Sequence, residues 1–202
     1  MPDMDLSPEA LSPAAREALL NMAYLSVCDL VLGQRHKRQT PPDAQLSQRA
    51  GAFVTLSRNG DLRGCIGHIE ADQTVWQVVQ LMAVSAAQND PRFEPVGADE
   101  LDELDVEISV LSPLRRISSI DEIDAGKHGL MLTKGFYRGL LLPQVASERG
   151  WDRETFLEAT CEKAGLPYGA WRKGAIIEIF TALVFNKTFS SHAAAQYEDL
   201  LE

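Results

Sequence analysis

A chain of 202 residues, 45% hydrophobic and 24% charged, is long enough for one large core or two joined halves and has an ordinary globular composition. Its formal net charge of −10 repels polyanions at long range and argues against nucleic acid as a partner. No apolar run reaches the roughly 20 residues of a membrane span, and the N-terminus lacks a basic region followed by an apolar one, so a cytoplasmic protein is expected.

Residues 1–11 are polar and punctuated by proline, which reads as a loose terminal segment. Ser12-Pro13 is a helix start, a cap residue followed by proline at the first helical position. Leu19, Leu20, Ala23, Val27, Leu30 and Val31 then recur at helical spacing, and Gly33 supplies the stop. Residues 34–45 form a polar loop around Pro41-Pro42; its basic cluster, Arg35-His36-Lys37-Arg38, reads as a solvated connector beside the helix end.

Residues 51–56 have strand composition, Asn59-Gly60 carries the signal of a tight hairpin, and residues 62–69 return. Asp72 is the expected cap of a helix through Val75, Val78, Val79, Met82 and Ala86, which ends before Asp90-Pro91-Arg92-Phe93. A strand follows at 104–111, with Val106, Ile108 and Val110 inward and Asp105, Glu107 and Ser109 on the other face. The pattern then repeats. Residues 129–133 and 137–142 form a second hairpin, and Asp152 caps a helix through Phe156, Leu157, Cys161 and Ala164 that closes at Gly165 and Pro167. Residues 176–185 read as one long strand, and the polar segment from Asn186 onward as a last amphipathic helix.

The two halves match in detail. Arg63-Gly64 corresponds to Arg138-Gly139, each arginine is followed 13 positions later by a tryptophan (Trp76, Trp151), and Val106-Glu107-Ile108 corresponds to Ile177-Glu178-Ile179. An α+β fold is therefore expected, built from duplicated strand-strand-helix-strand units in antiparallel sheet, the first over about 51–112 and the second over about 129–185. The cleft between such units is the default place for a ligand.

Three cysteines without C-x-x-C spacing and four isolated histidines argue against a disulfide framework and a bound metal, and no particular cofactor is indicated. Cys28 and Cys161 fall in helical stripes, but Cys65 lies in a strand, where Arg63, Cys65 and Gly67 share a face. Arg63 and Cys65 are then about 6.6 Å apart along the backbone, close enough for the guanidinium to favour a thiolate. Gly67 would leave an open position beside the sulfur. Cys65 and Arg63 are thus the candidate catalytic pair. The competing reading is a buried structural cysteine, since Leu140 and Leu142 occupy the equivalent places in the second half.

His68 faces away from Cys65 in a regular strand, which suits a histidine at the mouth of the groove better than a general base. Glu107 is placed to pair with Arg63 across neighbouring strands. Arg92 is an anion contact if its loop reaches the groove, while Asp90 reads as a turn residue. Gly64, Gly67, His68, Arg92 and Glu107 are the candidate substrate-binding residues.

Leu62-Arg63-Gly64-Cys65-Ile66-Gly67, Asp90-Pro91-Arg92-Phe93, Val106-Glu107-Ile108-Ser109-Val110-Leu111-Ser112-Pro113 and Gly139-Leu140-Leu141-Leu142-Pro143-Gln144-Val145 together resemble the AMMECR domain family, whose prokaryotic members are called AmmeMemoRadiSam system protein A. The likeness covers about residues 12–190 as a single domain, leaving 1–11 and 191–202 as terminal segments. It implies an α+β fold in which a larger part holding both termini adjoins a smaller one, with the hexapeptide pointing into the cleft. It also implies association with a Memo-type protein and a radical S-adenosylmethionine enzyme. Histidine directly after the hexapeptide is not expected as a rule. Two functional readings follow: an enzyme or enzyme component of a modification pathway with Cys65 as nucleophile or redox thiol, or a non-catalytic adaptor for a partner protein or small ligand with Cys65 structural.

Overall fold

The computed structural model describes residues 11–34 and 40–189. Its elements in chain order are α1 (Pro13–Leu32), β1 (Ala52–Arg58), β2 (Asp61–His68), α2 (Val75–Gln88), β3 (Leu104–Leu111), β4 (Arg115–Arg116), β5 (Gly129–Lys134), β6 (Tyr137–Leu141), α3 (Pro143–Arg149), α4 (Arg153–Lys163), β7 (Ile176–Phe180) and β8 (Ala182–Thr188). The expected α+β class with antiparallel sheets is what the chain adopts. Residues 11–34 and 40–111 together with 183–189 form one compact unit, and Ser112–Ala182 form a second. The Arg35–Arg38 cluster and the chain beyond 189 lie outside the described residues.

In the first unit, local chemistry sets the helix ends. The Ser12 hydroxyl accepts from the Ala15 amide at 3.1 Å, Pro13 opens α1, and Gly33 closes it in the left-handed region at φ 67°. The cap of α2 is Thr74 rather than the expected Asp72: Thr74 and Gln77 bond reciprocally as a capping box, while Asp72 Oδ1 lies 2.7 Å from His68 Nε2. We expect Thr74→Ala to cost about 1 kcal/mol, read as a lowered urea midpoint with an unchanged slope.

The sheet of this unit has the order β2-β1-β3-β8. Asn59 (φ 54°) and Gly60 (φ 86°) both take positive φ, the backbone a two-residue hairpin between right-twisted strands requires. Val54, Leu56, Val106, Ile108 and Val110 are fully buried in one core with Leu19, Ala23 and Val27 of α1 and Val75, Val78 and Val79 of α2. The helix can lie this close because of Gly64: a Cβ there would stand 2.1 Å from the Ala86 carbonyl oxygen.

The second sheet has the order β4-β7-β5-β6, backed by α4 through Phe156 and Leu157 against Leu130 and Ile179. Gly139 lies against the helix end as Gly64 does, its would-be Cβ 2.5 Å from the Ala164 nitrogen. In both sheets the third strand pairs with the first strand of the hairpin. The connections differ, because α3 intervenes after β6 and β4 extends the second sheet. The expected single strand over 176–185 is two strands: β7 belongs to the second sheet and β8 to the first, separated at Thr181. Asn186 to Thr188 accordingly continue β8 instead of opening a helix. Among the described residues no helix is long and apolar enough to cross a membrane.

Candidate functional site

Cys65 sits in the middle of β2, an edge strand, and is half-buried, whereas Cys28 and Cys161 are fully buried. Its position across the hairpin is set by a bulge. Counting back from the Asn59-Gly60 turn, Arg58 faces Asp61 and Ser57 faces Leu62, but Leu56 faces Gly64 because Arg63 is skipped. That shift brings Thr55 opposite Cys65, and the Thr55 hydroxyl donates to Sγ at 3.2 Å. On its other side Thr55 is opposite Glu107 of β3. Cys65, Thr55 and Glu107 therefore form one row across three strands, on the sheet face opposite Val54 and Ile108.

The outer edge of β2 is closed by a side chain. The Cys65 amide donates to Asp90 Oδ2 at 2.8 Å, filling a ladder position that would otherwise face outward. Asp90 is only 4% exposed and also accepts from the Arg92 amide (3.1 Å), Arg92 Nε (2.9 Å) and Arg92 Nη2 (2.6 Å). The Arg92 guanidinium holds the Asp90 carboxyl well below the usual carboxylate range, with the Cys65 and Arg92 amides adding to the effect against burial. Asp90 in turn raises Arg92, and Cys65 lies close enough to contribute in the same direction. The Phe93 ring supports both neighbouring arginines, its centroid 5.4 Å from Arg92 Cζ and 6.0 Å from Arg63 Cζ.

Several expected roles are corrected. Arg63 does not serve the sulfur: its Nε and Nη2 make a bidentate pair with Glu100 at 2.6 and 2.8 Å, and Nη1 and Nη2 reach the carbonyls of Glu94 and Pro95. Its carboxylate partner is thus Glu100 rather than Glu107. As the extra residue of a bulge on an edge strand, Arg63 meets the 94–100 segment that packs along that edge. Gly67 does not leave an open position, because a Cβ there would fall 2.2 Å from the Phe53 ring, which covers it. Gly64 is turned to α2, so its lack of a side chain serves packing and not a substrate. His68 is paired with Asp72. Arg92 alone of the five substrate-binding candidates is bonded to the group that holds the Cys65 strand.

Sequence reasoning missed Thr55 and underrated Asp90. A regular hairpin register places Thr55 opposite Gly64, and only the bulge moves it to Cys65. The available signal for Asp90 was Asp-Pro-Arg itself, an acid placed to accept from the amide and guanidinium two residues on. The other two thiols differ in environment: burial pushes Cys28 up to about 11 and raises Cys161 as well. Among the described residues no group of three or more His, Cys, Asp or Glu side chains is arranged to hold a metal ion.

Comparison with known proteins places this geometry in context. The AMMECR1 family model matches residues 20–185. A protein of Methanosarcina acetivorans is 46% identical over 145 residues, covering 69% of this chain and 73% of its own. Protein TK0174 of Thermococcus kodakarensis is 42% identical over 188 residues, covering 86% of this chain and 90% of its own. The crystal structure of uncharacterized protein PH0010 from Pyrococcus horikoshii is similar with a TM-score of 0.82 at 36% identity, over 88% of this chain and 93% of that one.

Proposed function

The chain belongs to the AMMECR1 family, and from that premise we propose that it acts as a thiol-dependent enzyme, or the thiol-bearing component of one, with Cys65 as the nucleophile. One observation carries the reading: Cys65 is the half-buried cysteine, with a hydroxyl partner at 3.2 Å, while Cys28, beside the Tyr24 hydroxyl, and Cys161 are fully buried. The thiolate is the attacking species in cysteine chemistry, and the Thr55 hydroxyl is in reach to share its charge. The Asp90 bond to the Cys65 amide fixes the strand from which the sulfur projects. In this reading Arg63 straps the 94–100 segment to β2, a supporting role away from the reacting atoms. The pathway partners we propose are a Memo-type protein and a radical S-adenosylmethionine enzyme, on the sequence resemblance alone.

Alkylation of the folded protein tests the reading. At neutral pH iodoacetamide should modify Cys65 within minutes while Cys28 and Cys161 react only after unfolding, as read by peptide mass mapping. Thr55→Val should slow the Cys65 reaction about tenfold, the worth of one hydrogen bond to a charged atom. Modification of Cys65 no faster than of the two core thiols would make it a structural residue and leave a binding module as the function.

A further inference from the structure

We propose that the substrate of Cys65 carries an oxyanion, which the outward edge of the Arg92 guanidinium binds while the electrophilic centre meets the sulfur. The inference rests on the thiol reading above and names its substrate class. Arg92 Nη2 and the Cys65 amide share a single oxygen, Asp90 Oδ2, at 2.6 and 2.8 Å, so the guanidinium and the sulfur-bearing residue are held to one buried atom. Arginine presents five N–H donors in a planar fork. Asp90 takes those of Nε and one of Nη2, and Nη1 has no acceptor among the described residues.

The Arg92 side chain is 53% exposed although its anchor is 2% exposed, so the inner half is fixed and the outer half meets solvent. The Phe93 ring stiffens it from one side. A second oxyanion can therefore dock on Nη1 without displacing Asp90, whose oxygens are occupied by four donors. Arg63, another cation of this hairpin, is committed to Glu100 and two carbonyls and lies 16% exposed.

Two alkylating reagents that differ in charge separate this inference from the reading beneath it. In both, the Cys65 sulfur displaces iodide from a methylene carbon and the thiol proton passes to solvent; iodoacetate carries a carboxylate next to that carbon and iodoacetamide a neutral amide. The measured quantity is the ratio of the two rate constants at Cys65. Replacing the guanidinium should lower that ratio about tenfold, the worth of one hydrogen bond to a charged group, and added salt should erode it in the wild type.

Because Arg92→Gln alone leaves the buried Asp90 carboxylate without its cation, the decisive variant is Asp90→Asn/Arg92→Gln. It removes two opposite charges, so a fall in the ratio reports the lost Nη1 contact and not a change of net charge, and it retains an amide oxygen for the Cys65 N–H. Arg92→Lys, which keeps the positive charge, should hold the ratio within about threefold of wild type. An unchanged ratio in a folded double variant that still labels at Cys65 would overturn the oxyanion inference and leave the thiol reading standing. Failure of both reagents to label Cys65 in the wild type would remove the two together.

Discussion

Asp90→Ala should cost about 3 kcal/mol of folding stability, against about 1 kcal/mol for Asp90→Asn, measured as urea midpoints at pH 7. The alanine variant leaves the Cys65 amide and the inner half of Arg92 without the acceptor that now serves both. Arg92 can recover water at its exposed half, which keeps the loss below that of a fully buried pair. The same carboxylate predicts an acid dependence. Its folded-state pKa lies below the ordinary value of about 3.9, so its contribution is complete above that value and declines as pH falls through it. The stability gap between wild type and Asp90→Asn should therefore shrink by about 1 kcal/mol between pH 6 and pH 3. A gap that stays constant over that range would mean Asp90 titrates like a free carboxyl.

Gly64→Ala should be comparably damaging, at about 3 kcal/mol, and Gly67→Ala should cost about half as much. The new methyl at 64 would meet the Ala86 carbonyl oxygen at 2.1 Å and the Ala86 carbonyl carbon at 3.0 Å, both backbone atoms of α2. Neither can move unless the helix lifts from the sheet, which loosens Val78, Val79 and Ala83 in the core. At 67 the obstacle is the Phe53 ring, a side chain that can swing aside. Equal midpoints for the two variants would show that the helix gives way as easily as the ring. Because Gly64 precedes Cys65, the alanine there should also alter the Cys65 alkylation rate.

Much of the fold is legible where local chemistry decides it. Ser12-Pro13, Gly33, Asn59-Gly60 and Asp152 each do what their side chains or φ preferences dictate, and the alternation of Val106, Ile108 and Val110 identifies the buried face. Legibility ends where a distant group competes. Asp72 has the chemistry of a helix cap, yet Thr74 caps α2 and Asp72 pairs with His68. Residues 176–185 are continuous in strand character, and nothing local reveals that Thr181 separates two sheets. α3 is a single short helix between Pro143 and the left-handed Gly150, too brief for periodicity to register.

The candidate site divides the same way. Cys65 and Arg92 stand out as residue types in an unusual setting. The bulge that brings Thr55 to the sulfur, and the turn that carries Asp90 to an amide 25 residues away, are properties of the assembled sheet. Arg63 illustrates the cost of assuming strict alternation: a bulged residue on an edge strand bonds along the edge, to Glu100, and not across the sheet to the expected Glu107.

The separation of β3 from β8 has a consequence for biosynthesis. Seventy or so residues intervene between them, so a ribosome releases the cysteine-bearing hairpin, both of its helices and three strands well before the fourth strand exists. Until β8 emerges, the flank of β3 is bare, Glu17 and Asn21 lack Lys187, and the Tyr24 ring lacks the stacked Phe189 at 4.0 Å. The nascent thiol-bearing unit thus waits on residues 182–188 for its closing strand, and chains arrested before that point should engage holding chaperones through β3.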